Sequence, residues 1–97
     1  MIEHLVVIRW KDAAPQTRRR EILEGLAALR GKIPEIVEYR VGENFSERSQ
    51  GYHAAITSTF ADEAGLAAYG SHPLHQQVAG QLKDAADSLI VLDFRPL

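Results

Sequence analysis

Apolar and polar positions alternate along some stretches of the chain and recur at helical spacing along others. The segment IEHLVVIRW, residues 2–10, is dense in Val, Ile and Leu, the composition of a strand. Successive strand side chains point to opposite faces, so His4, Val6, Ile8 and Trp10 share one face, and Leu5, Val7 and Arg9 the other. KDAAP ends this strand, and Pro15 suits a first helical position, where its missing N–H would have no helical partner. From Gln16 to Arg30, Ile22, Leu26 and Leu29 recur at helical spacing and, with Ile33 just beyond, define one buried stripe. Gly31 and Pro34 stop the helix.

EIVEYRVGE predicts a strand with Val37, Tyr39 and Val41 on one face and Ile36, Glu38 and Arg40 on the other. NFSERSQG is a polar connection, and YHAAITSTF alternates as the second arm of a hairpin. Asp62 can cap the following helix, DEAGLAAY, by accepting from free N–H groups of its first turn. Pro73 breaks or restarts that helix, after which Leu74, Val78 and Leu82 give a second apolar stripe. SLIVLDFRP closes the chain as a strand. The resulting order, β-α-β-β-α-β, predicts an α+β, ferredoxin-like protomer with an antiparallel four-stranded sheet and helices on one face.

The terminal strands carry information about assembly. In the last one, Leu89 and Val91 oppose Ile90, Leu92 and Phe94, so both strands are apolar on both faces, the pattern of a sheet covered on both sides. Two helices cover only one face. A second copy packed sheet to sheet with two-fold symmetry is the economical cover for the other, and a homodimer is expected.

Composition narrows the field. Ninety-seven residues are expected to form one domain, 1–97, and 45% hydrophobic with 25% charged residues is ordinary for a globular protein. The net charge of −2 gives no general attraction to nucleic acid or anionic lipid. The absence of cysteine excludes disulfides, thiolate catalysis and thiolate metal sites. MIEHLVVIRW lacks the features of a signal peptide, and no apolar run approaches the ~20 residues of a membrane span. A cytoplasmic protein with no membrane partner is the expectation.

YGSHPLHQQV, residues 69–78, holds the candidate chemistry. Histidine exchanges a proton near neutral pH. His72 and His75 flank Pro73; His72 falls near a helix cap, where local hydrogen bonding is its ordinary role. His75 borders the Val78–Leu82 stripe and should face the space between helix and sheet. Tyr69 ends the preceding helix, and His4 approaches the same space from the first strand. A competing reading makes these histidines a helix junction satisfied by backbone carbonyls. A metal is not expected, because His72-x-x-His75 lacks a third ligand at helical spacing. TRRRE reads as a solvated face with Arg18–Glu21 and Arg20–Glu24 pairs rather than a nucleic-acid patch. The fold order matches an RNA-recognition module, but YHAAITSTF carries aromatics only at its ends and no basic-glycine-aromatic signature.

HLVVIRWKD, GYHAAITSTF, HPLHQQV and LIVLDFRP, in this order and spacing, resemble the stress-responsive A/B barrel (Dabb) family over essentially the whole chain. The resemblance implies a protomer whose sheet pairs with another into a dimeric barrel. In a polyketide-cyclizing member, the second histidine of His-Pro-x-His acts as a base on a linear poly-β-keto thioester, and an upstream tyrosine assists. The matching residues are His75 and Tyr69; His4 matches a pocket histidine on the first strand, and His72 is a weaker binding candidate. A further pocket histidine of that cyclase aligns with Ala54, with His53 one place earlier and so turned to the opposite face. The functional expectation is a dimer with a small apolar pocket that binds, or acts without a cofactor on, a small carbonyl compound, its ligand apolar or aromatic. The alternatives are a non-enzymatic stress-related dimer and a cofactor-free monooxygenase of the dimeric-barrel type.

Overall fold

Strand and helix propensities resolve into seven elements in the computed structural model, which describes residues 1–97. They are β1 (Ile2–Trp10), α1 (Gln16–Ala27), β2 (Ile36–Glu43), β3 (Ala54–Phe60), α2 (Glu63–Ser71), α3 (Pro73–Ala85) and β4 (Ala86–Phe94). The strands form one antiparallel sheet in the order β2-β3-β1-β4. This is the ferredoxin-like arrangement, with the second helix divided at Pro73.

Alternation sorts the sheet into two unlike faces. Val6, Ile8 and Trp10 join Tyr39, Ala54, Ile56 and Phe60 in a buried core closed by Ile22, Leu26, Leu29, Tyr69, Val78 and Leu82 from the helical layer. On the opposite face Ile90, Leu92 and Phe94 are 43%, 53% and 49% exposed, large apolar side chains with nothing over them. The molecule is accordingly a slab, 36 × 31 × 18 Å, two layers thick.

Four local features differ from the expectations above. Pro15 is the cap before α1 rather than its first residue: its backbone is extended, with ψ 155°, and its carbonyl accepts from Arg19 N–H at 3.0 Å. The helix ends at Ala27, because Leu29 and Arg30 bond three residues back, to Leu26 and Ala27, the tightening common in a last turn. Gly31 follows with φ +79°, a left-handed position that glycine tolerates. In β2 the register slips between Ile36 and Glu38. That bulge leaves Val37 51% exposed instead of on the buried face with Tyr39. His53 precedes β3 rather than lying within it, and its Nδ1 accepts from Trp10 N–H at 3.0 Å.

Candidate functional site

The junction of α2 and α3 is built by its own sequence. Asp62 starts α2 by accepting from Gly65 N–H at 2.8 Å, as its short side chain predicted. Pro73 cannot continue α2, having no N–H to donate, so it opens α3 instead. His72 sits between the helices and its Nδ1 accepts from Leu74 N–H at 3.1 Å, capping α3. Its role in this geometry is local.

One turn into α3, His75 folds back across the break. Its Nδ1 lies 3.1 Å from the carbonyl of Gly70. A carbonyl only accepts, so Nδ1 carries the proton and Nε2 is left with a free lone pair. The half-buried ring packs on Tyr69, with centroids 4.2 Å apart. Burial pushes the His75 pKa below the usual histidine value, since desolvation disfavours the charged ring. The Gly70 bond opposes this, while His4, Lys83 and His72 add to it. His75 is therefore harder to protonate than an ordinary histidine.

Tyr69 is the centre of the cluster and only 3% exposed. Besides His75, its ring meets Phe60 at 5.0 Å, Tyr39 at 6.0 Å and His4 at 6.1 Å. Its hydroxyl is 2.9 Å from that of Tyr39. Burial raises the pKa of both phenols, Tyr39 well above the ordinary range. The neighbouring Tyr69 raises Tyr39 further, by its charge and then by the bond, while the bond to Tyr39 counteracts the rise in Tyr69.

His4 comes from β1 as expected, and its Nδ1 bonds the carboxylate of Asp93 on β4. The structure thus gathers His4, Tyr69 and His75, with His72 at the margin. Two members were not foreseen. Tyr39 was placed on a buried face, which signals core rather than chemistry. Asp93 is an acid within an apolar strand, and only the β1–β4 register sets it opposite His4. No three His, Asp or Glu side chains converge as a metal site would require.

Phe60, Tyr39, His4 and His75 pack around the Tyr69 ring. The principal concavities lie elsewhere. One of about 410 Å³ opens on the uncovered sheet face, over Val7, Ala55 and Thr57, with Arg40 and Tyr52 at its sides. The small pocket expected beside Tyr69 and His75 is not among them.

Comparison with known proteins places this geometry in a family. Residues 2–96 match the family model described as the stress responsive A/B barrel domain. A stress-response A/B barrel domain-containing protein of Arabidopsis thaliana is 33% identical over 95 residues, spanning 95% of this chain and 83% of that protein. Olivetolic acid cyclase of Cannabis sativa is 22% identical over 97 residues, spanning 98% and 96%. A crystal structure described as a dimeric ferredoxin-like protein of unknown function from Jannaschia sp. CCS1 superposes with a TM-score of 0.84 at 31% identity, covering 98% of each chain. With the match running from the first strand to the end of the last, the chain belongs to the stress-responsive A/B barrel domain (Dabb) family.

Proposed function

We propose that the protein is a homodimer whose Tyr69–His75 centre binds, or acts without a cofactor on, a small carbonyl compound bearing an acidic C–H. The observation that carries this reading is the state of His75: Nδ1 is committed to Gly70 O, burial disfavours the charged ring, and Nε2 is free. In that form Nε2 takes a proton from the carbon next to a carbonyl. The electron pair left behind moves onto the carbonyl oxygen, where the Tyr69 O–H donates a hydrogen bond to the developing charge. Closing the chain by aldol addition forms one C–C bond and leaves an alkoxide, which takes up one proton, so that the proton lost from carbon is regained on oxygen. No redox partner is needed. The similarity to olivetolic acid cyclase supports a poly-β-keto thioester as the first compound to try. The dimeric relative, together with the bare apolar sheet face, supports the assembly.

A second reading has its own observation. The His75 ring packs on Tyr69, and the His75–Gly70 bond also staples the break between α2 and α3, as a non-enzymatic dimer would use it. The experiment pairs ring closure of a linear poly-β-keto thioester with thermal melting of wild type and His75→Ala at one protomer concentration. Lost turnover with a retained melting temperature supports the catalytic reading. No turnover by wild type, with a clear drop in melting temperature for the variant, supports the structural one.

A further inference from the structure

Tyr69 packs against two imidazoles. His75 lies over it from α3, and His4 meets it edge-on from β1, the ring planes inclined at 68°. Both imidazoles are held the same way, through Nδ1, by an oxygen that accepts: the Gly70 carbonyl for His75 and the Asp93 carboxylate for His4. The register explains the second pairing. His4 and Asp93 are direct partners across the β1–β4 ladder, and opposite residues share a face at close range.

An ionised carboxylate has no hydrogen to give, so the His4 nitrogen it meets is protonated. The other nitrogen, Nε2, lies across the ring from Asp93. The His4 side chain is only 14% exposed, whereas Asp93 is 45% exposed. The carboxylate therefore stays solvated while it fixes a ring that is largely out of water. His4 is also among the groups that lower the His75 pKa.

Resting on the acid–base reading above, we propose that Asp93 is a positioning residue that commits His4 to carrying its proton on Nδ1, making His4 Nε2 the second proton-handling nitrogen of a two-imidazole site. Such a site suits substrates that lose a proton from carbon and gain one on oxygen in the same turnover. His75 Nε2 accepts the proton from carbon. His4, when it carries a proton on Nε2 as well as on Nδ1, donates the Nε2 proton to the alkoxide formed by C–C closure. One proton then returns from His75 to His4 through water, and no other reactant is required.

The test begins with nitrogen-15 NMR of the histidine rings, at a pH where the imidazoles are neutral and with no substrate present. Wild type is expected to show His4 with a protonated Nδ1 and an unprotonated Nε2. Asp93→Ala is expected to move the proton to Nε2 while the backbone amide spectrum stays that of a folded protein. In ring closure of the poly-β-keto thioester, Asp93→Ala should lower kcat about tenfold or more with little change in KM. A wild-type His4 that carries its proton on Nε2, or a ring unmoved by Asp93→Ala, overturns the proposal without any variant having to be active. An unchanged kcat in a variant whose ring has switched overturns it as well. Absence of turnover in wild type sinks the function reading, and the ring measurement then decides the positioning role alone.

Discussion

Tyr39 and Tyr69 hold each other's hydroxyls in a place where water does not reach, at 2% and 3% exposure. Replacing either by phenylalanine strands the other's polar oxygen, at about 1–3 kcal/mol, whereas removing both leaves no orphan. Tyr39→Phe and Tyr69→Phe should each lower the denaturation midpoint, and the double variant should fall by less than their sum. Chemical unfolding of the four proteins measures this coupling. His75 supplies the pH dependence. Its folded pKa lies below the unfolded value of 6.5, so the unfolded chain binds more protons there and stability rises with pH. The contribution is complete above the unfolded value and is lost as pH falls from it toward the folded one. Melting curves from pH 7.5 to pH 5 should show wild type losing stability faster than His75→Asn; parallel curves would mean the ring is not desolvated.

Among the elements, the helices give the clearest separation of propensity from packing. Gly80 lies on the exposed side of α3 with nothing within 4 Å of an added Cβ, whereas a Cβ at Gly25 of α1 would come 3.2 Å from Val78 Cγ2. Alanine at an exposed helix interior gains ~0.5–1 kcal/mol over glycine. Gly80→Ala should therefore raise the melting temperature, and Gly25→Ala should gain less or lose, since Val78 must give way. This also shows how far the fold was legible. Element order, the Asp62 cap and the restart at Pro73 could all be read, because each depends on neighbours within a few residues. The bulge at Val37 could not, because alternation is silent about a register set by the partner strand. The site divides along the same line. His75 and Tyr69 sit on one short segment with a marked sequence pattern, but the Asp93 partner of His4 is 89 residues away, and the Tyr39–Tyr69 bond crosses from sheet to helix.

At the scale of the whole molecule, the slab is under-buried for its mass. A monomer of 10.8 kDa should expose about 5,500 Å², and this one exposes 6202 Å². Part of the excess lies on the bare sheet face. There the register sets Leu5 beside Leu92 and Val7 beside Ile90, an apolar strip with polar pairs at its ends. Glu3 bonds Thr59 at one end, and Arg9 pairs with Asp87 and lies over Tyr52 at the other. An apolar centre within a polar rim is the anatomy of a protein interface, and a stable one covers about 800 Å² per partner. A second copy fits because a two-fold axis presents the same strip to itself. Light scattering coupled to size exclusion should give wild type twice the 10.8 kDa protomer mass. Leu92→Glu, which puts a carboxylate at the centre of the strip, should give the protomer mass with a near-native far-ultraviolet spectrum. The helix-side Tyr69→Phe should remain dimeric, since its change lies on the other side of the sheet. A dimeric Leu92→Glu would move the interface off this face, and a monomeric wild type would leave the apolar strip in need of another cover.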